Sequence, residues 1–171
     1  LTGKKEVMEL GGIRKTGAEK LFLISSTHGG ETHAIAAGLA TIDEFVKHNV
    51  VAHNHAIGDR FIAKNREIIT QHGLSAYVEV IPSNWMPLMV FKDKNGEVSN
   101  GLRTLVMQEM IARGVLFQGA FVPCFSHTND DVDFFAEAMN ESLEIFKRGL
   151  EDGFEKHLVG AAAKPVFRKI L

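Results

Sequence analysis

From Glu31 onwards Ile35, Leu39, Ile42, Phe45 or Val46, Val50 and Ile57 recur every three to four positions. That spacing lays one apolar stripe along an α-helix. The pattern predicts a single long helix from Glu31, through the His48–His55 region, to Ile68 or Ile69, closed by His72-Gly73. There is no internal repeat, no low-complexity tract and no linker-like stretch, so this helix is the expected connection between one domain and the next. Residues 1–30 would precede it, residues 31–73 would form it, residues 74–152 would make a second unit and residues 153–171 a tail.

Around this helix the short-range signals alternate between strand and helix. Glu6 to Leu10 reads as a short helix stopped by Gly11 and Gly12, and Leu21-Phe22-Leu23-Ile24 as a strand. Tyr77 to Ile81 alternates as a half-buried strand does, Pro82-Ser83-Asn84 breaks it, and Met86 to Phe91 is a second apolar strand. Lys92 to Glu97 is a turn, because Asn95-Gly96 supplies positive φ angles readily. Asn100 is placed to cap a helix whose Leu102, Leu105, Val106, Met110 and Ile111 face the core before Gly114 closes it. Val115-Leu116-Phe117 is expected as a short strand. Thr128 with Asp131 three residues later forms a capping box, and Val132, Phe135, Met139, Leu143, Phe146 and Leu150 make the stripe behind it. Together these predict an α/β (α+β) domain of antiparallel strands covered on one face by helices. The tail from Gly153 is expected to lie along a neighbouring element.

Charge narrows the function classes. With 19 basic and 21 acidic side chains the net charge is −2, so the excess of Lys and Arg that grips nucleic-acid phosphates is missing. No apolar run approaches membrane-spanning length and no signal-peptide core is visible, so no membrane partner is expected. The single Cys124 fits a reducing, cytoplasmic compartment. Leu1-Thr2-Gly3, without an initiator Met, reads as the start of a processed, tagged or excised chain.

The stretch Ser26-Thr27-His28-Gly29-Gly30-Glu31-Thr32-His33 is the densest in polar chemistry. As a metal site it would use His28, Glu31 and His33, but the zinc helix motif places two His at i and i+4 around a Glu, and here the His residues are five apart with two glycines between. As an anion site it offers the Ser26 and Thr27 hydroxyls, the Gly29 and Gly30 amides and a helix N-terminus; ordinary helix capping explains the same residues. His48, His53 and His55 cannot all face one metal on a regular helix and read as surface or interface residues. His127 reads as structural and Cys124 as a small buried side chain. Gly114 to Pro123 is packing or lines a site. Lys4, Lys5, Lys15 and Lys20 are amines in polar surroundings, whereas an amine becomes a useful nucleophile when desolvated or set beside charge.

Three segments, LTGKKEVMELGG, SSTHGGETHAIAAGLATI and GVLFQGAFVPCFSHTNDDVDFFAEAMNESLE, in this order and spacing, resemble the C-terminal portion of class III pyridoxal-phosphate aminotransferases, closest to the glutamate-1-semialdehyde aminomutase-like branch. The resemblance implies the small C-terminal domain of fold-type I transferases, with residues 1–30 a remnant of the large cofactor-binding domain. It implies that Thr27 reaches across a homodimer interface to the phosphate of the partner's pyridoxal phosphate, with Ser26, His28, Gly29 and Gly30 beside it. Gln118, Gly119 and Phe121 match the segment at the entrance for a small-molecule amino substrate. Glu31-Thr32 stands where the family more often has Asn-Pro. The family's cofactor lysine falls before the segment matching Leu1 to Leu10, so the resemblance assigns this chain no catalytic residue, no firmly bound cofactor and no transaminase activity by itself. The alternative is a noncatalytic interaction or regulatory domain that uses the surface facing the absent domain for docking.

Overall fold

The computed structural model describes residues 4–8 and 30–164. Two compact units divide the chain, Leu1–Glu44 and Phe45–Leu171. The expected strand at Leu21 to Ile24 and the glycine stop at Gly11-Gly12 lie outside the described residues. Helix α1, Lys5–Met8, overlaps the short helix expected there.

The predicted long helix is two helices, α2 at Thr32–Lys47 and α3 at Val50–Gln71. The break is at Asn49, whose φ of 50° and ψ of 43° are left-handed. Asn is among the few residues that adopt this conformation at low cost, since its short side chain bonds locally. Periodicity cannot detect such a break, because Val46 and Val50 keep a four-residue step across it. Helix α2 buries none of its residues, and Ile35, Leu39, Ile42, Phe45 and Val46 are all exposed.

Helix α3 carries Ile57, Phe61, Ile62 and Ile69 into the same core that residues beyond 74 build. Midway along it a Cβ added at Gly58 would collide with the backbone carbonyl of Asn84, so only glycine lets the Pro82–Pro87 turn lie on the helix. The core also holds Asn65, whose Nδ2 donates to the Phe61 carbonyl at 2.8 Å.

Strands β1, Val78–Ile81, and β2, Leu88–Phe91, pair antiparallel with Val78 opposite Phe91 and Ile81 opposite Leu88. Period-two alternation sends Val78, Val80, Met89 and Phe91 into the core and leaves Leu88 and Val90 half-buried on the other face. After β2 the Asp93 carboxylate accepts from the amides of Asn95 and Glu97, which closes the expected turn.

Helix α4, Asn100–Ala112, is capped by Ser99 rather than by Asn100. Ser99 is extended and its hydroxyl accepts from the Leu102 amide at 3.2 Å, while Asn100 is already helical. Leu102, Leu105, Val106 and Met110 are buried as expected; Ile111 is exposed. Helix α5, Asn129–Asp152, begins with the predicted capping box between Thr128 and Asp131. Val132, Phe135, Met139, Leu143 and Phe146 of its stripe are buried, and Leu150 packs at the margin. Helix α5 packs against both α3 and α4. A bifurcated contact, Arg60 Nη2 to both Asp133 carboxylate oxygens at 2.8 Å, ties α3 to α5, and Lys64 joins the same carboxylate at 2.6 Å. After a 3₁₀ turn at Phe154–Lys156 the chain runs along α4. There the His157 carbonyl accepts from Gln108, and Val159 and Ala163 donate to Gln108 and Thr104.

Candidate functional site

The segment between α4 and α5 is where the structure builds concave surface. Gly114, with φ of 83°, turns the chain out of α4, and the Val115 amide donates back to the Met110 carbonyl. The strand expected at Val115 to Phe117 does not form: Leu116 points to solvent and only Phe117 is buried. Pairing comes three residues later, where Ala120 bridges Leu88 antiparallel. The Met89 amide donates to the Gly119 carbonyl at 2.7 Å and the Phe121 amide to the Pro87 carbonyl at 2.9 Å. This edge requires Gly119 at φ 100°, a conformation that side-chain-bearing residues rarely adopt.

Two grooves flank the edge. The first, about 270 Å³, lies between β2, Val98, Arg103 and the Gln118–Ala120 backbone. Arg103 reaches across it from α4, and its Nη2 donates to the Gln118 carbonyl at 2.9 Å. The second, about 360 Å³, lies on the other side, among Leu116, Phe117, Phe121, His127 and Phe134. The Phe121 ring stacks on Phe61 with centroids 4.4 Å apart and planes 2° from parallel, and it also meets His127 at 5.0 Å. Of the three residues expected at an entrance, Gln118 and Gly119 thus line the first groove and Phe121 the second.

Beyond Phe121 the chain folds a small polar knot before α5. The Cys124 amide donates to Nδ1 of His127 at 3.1 Å, fixing that nitrogen as an acceptor, and the Cys124 sulfur lies 3.4 Å from the same atom. Cys124 is exposed, not buried, because this turn holds it on the rim facing His127. Nε2 of His53 donates to the His127 carbonyl at 2.9 Å, and the rings of His48 and His53 meet Phe125 at 5.7 and 5.2 Å. His55 is exposed. At the start of α5 the Thr128 amide, and then its hydroxyl, hold the Asp131 carboxyl below the usual carboxylate range.

Of the expected phosphate-binding residues, Ser26, Thr27, His28 and Gly29 lie outside the described residues. Gly30 is exposed with φ of 89° and nothing within 4 Å of an added Cβ, and His33 Nε2 sits 3.2 Å from the Glu31 carboxylate. Among the described residues no group of three His, Cys, Asp or Glu is placed to hold a metal. No described lysine is buried, and Lys64, Lys92, Lys147 and Lys156 lie beside carboxylates. No helix among them is long and apolar enough to cross a membrane.

Arg103 is the site residue that the sequence does not single out. Its one local signal is a cation near the start of α4, where the helix dipole disfavours positive charge.

The described residues form a small mixed domain with a two-stranded antiparallel sheet, and along most of its length the chain is similar to an aminotransferase. The relative is the 3-aminobutyryl-CoA aminotransferase of Cloacimonas acidaminovorans (strain Evry), 29% identical over 153 residues that make up 88% of this chain and 34% of that protein. The chain therefore spans about a third of the length of the relative it matches. Neither a protein-family model nor a solved structure matches the chain significantly.

Proposed function

We propose that this chain is the C-terminal part of a pyridoxal-phosphate-dependent aminotransferase or aminomutase of the glutamate-1-semialdehyde-like branch, inactive alone. The observation that carries the reading is the similarity to an aminotransferase along 88% of the chain but only 34% of the relative. When bound, pyridoxal phosphate supplies the electron sink for amino-group transfer. What this chain's own residues contribute is position. The Gly119–Phe121 edge holds Gln118 and Gly119 at one groove, and the Phe61 stack holds Phe121 at the other, as rigid walls toward a small amino substrate. Thr27, flanked by Ser26, His28, Gly29 and Gly30, would contact the cofactor phosphate of a homodimer partner.

The test is to incubate the chain with pyridoxal phosphate, reduce with borohydride and measure intact mass, beside a longer polypeptide that includes the upstream coding region. The expected result is a stoichiometric adduct on one lysine of the longer polypeptide and none on this chain. A stoichiometric adduct on a single lysine of this chain would refute the reading. A second reading, a noncatalytic docking domain, draws on the exposed apolar stripe of α2. It predicts that the longer polypeptide also remains without an adduct.

A further inference from the structure

The chain contains two Asn-Gly pairs, Asn95-Gly96 and Asn100-Gly101. In this dipeptide no side chain shields the glycine amide nitrogen, which therefore reaches the neighbouring carboxamide more readily than any other residue's does, and asparagine is accordingly thermolabile. The sequence gives the two pairs equal standing; their surroundings in the fold differ.

Asn95 and Gly96 are exposed in the turn after β2. A Cβ added at Gly96 would meet nothing within 4 Å, and the Asn95 side-chain amide has no hydrogen-bond partner among the described residues. What restrains this pair is local. The Gly96 amide donates to the Asp93 carbonyl at 3.0 Å, and the Asp93 carboxylate accepts from the Asn95 and Glu97 amides at 2.8 and 3.0 Å. Asn100 and Gly101 instead belong to α4. Gly101 is buried, and a Cβ added there would run into the Phe154 ring. The Thr104 hydroxyl also donates to the Asn100 carbonyl at 2.6 Å. Ring closure turns the peptide between the two residues, so at this pair it must wait for the first turn of α4 to open and Phe154 to lift.

We propose that Asn95 is a site of spontaneous deamidation and isoaspartate formation, while α4 and Phe154 protect Asn100. The Gly96 nitrogen bonds to Cγ of Asn95, the carboxamide nitrogen leaves as ammonia, and the proton given up by the Gly96 amide passes through solvent to that ammonia. The product is a cyclic imide. Water then opens the imide at one of its two carbonyls, leaving aspartate or isoaspartate at position 95. Either product places a new carboxylate beside Asp93. Isoaspartate also lengthens the main chain inside a turn closed by the bond from the Asp93 amide to the Glu97 carbonyl at 2.8 Å. Val98 and Asn100 follow in the chain and line the first groove, so the change bears on one of its walls. Both pairs lie in Phe45–Leu171, and the inference does not depend on the aminotransferase reading.

The test is to hold the folded chain in mildly alkaline buffer at physiological temperature and to follow the peptides carrying each asparagine by liquid chromatography and mass spectrometry. Conversion at Asn95 is expected to run about tenfold or more faster than at Asn100, because opening a packed helix turn costs free energy that an exposed turn does not require. In urea the two rates should converge, since both pairs are then equally open. Phe154→Ala should raise the rate at Asn100 and leave Asn95 unchanged, a pattern that global unfolding would not produce. Asp93→Ala should raise the rate at Asn95 and leave Asn100 unchanged. Equal rates in the folded chain, or faster conversion at Asn100, would overturn the proposal. A difference that persists in full in urea would overturn it too, by assigning the preference to sequence context alone. An Asp93→Ala chain that converts no faster at Asn95 would overturn the restraint given to Asp93.

Discussion

Replacing Gly58 by Ala tests whether the Asn84 turn is seated directly on α3. In an ordinary helix interior this change stabilises by roughly 1 kcal/mol, because Ala loses less backbone freedom and has the higher helix propensity. At Gly58 the new Cβ meets the Asn84 carbonyl oxygen and carbon, which are backbone atoms held by the Met86 amide bond to the Ser83 carbonyl. Overpacking of this kind costs about 1–3 kcal/mol, and a backbone obstacle that cannot rotate aside falls in the upper part of that range. The difference is a net loss of about 1–2 kcal/mol, or roughly 2–8 °C in Tm for a chain of this size. Urea denaturation followed by circular dichroism reads it directly. Gly38→Ala in α2, where an added Cβ meets nothing within 4 Å, is the internal control. It should raise helix content without lowering stability. A Gly58→Ala protein as stable as its parent would show that the turn is not packed as described.

Thr128→Ala removes the hydroxyl half of the capping box and should cost about 1 kcal/mol in urea unfolding. Phe121→Ala deletes a ring stacked between Phe61 and His127 and should cost about 2–4 kcal/mol, read by thermal melting. Asp133 is held below the usual carboxylate range by Lys64 and then by Arg60. Its contribution to stability is therefore fully present above about pH 5 and lost as pH falls through its depressed folded value. Asp133→Asn should lower neutral-pH stability and flatten the acid limb of a stability–pH curve, and an unchanged acid limb would contradict the α3–α5 tie. Cys124, exposed on its rim, should be alkylated by iodoacetamide in the native protein at a rate that urea raises little, measured by intact mass.

The elements from 78 onward were legible because their signals are local. The capping box at Thr128–Asp131 and the stripe on α5 need only hydroxyl, carboxylate and apolar spacing, and both form. The strands at β1 and β2 follow from alternation and from the Pro82 break. The misplaced details share a different cause. Ser99 and Asn100 are both capable caps, and only the helix entry geometry decides between them. The Val115–Phe117 run has strand composition, but a strand needs an open edge at the right height, and β2 offers its edge to Gly119–Phe121 instead. Asn49 breaks a helix without disturbing its apolar period. Arg103 could not be picked out because its place rests on a bond to the Gln118 carbonyl fifteen residues on, across a turn whose path the sequence spacing does not record.

The strap formed by residues 157–163 has a consequence for synthesis. Gln108 and Thr104 receive their partners from positions 49 to 59 residues further along the chain. A nascent polypeptide ending at Gly153 would already hold α3, α4 and α5, yet the outer flank of α4 would still be bare. Completion of that flank must wait until residues 157–163 have left the ribosome, so shortening the chain after Asp152 should expose α4 to proteolysis before it disturbs the helices beneath.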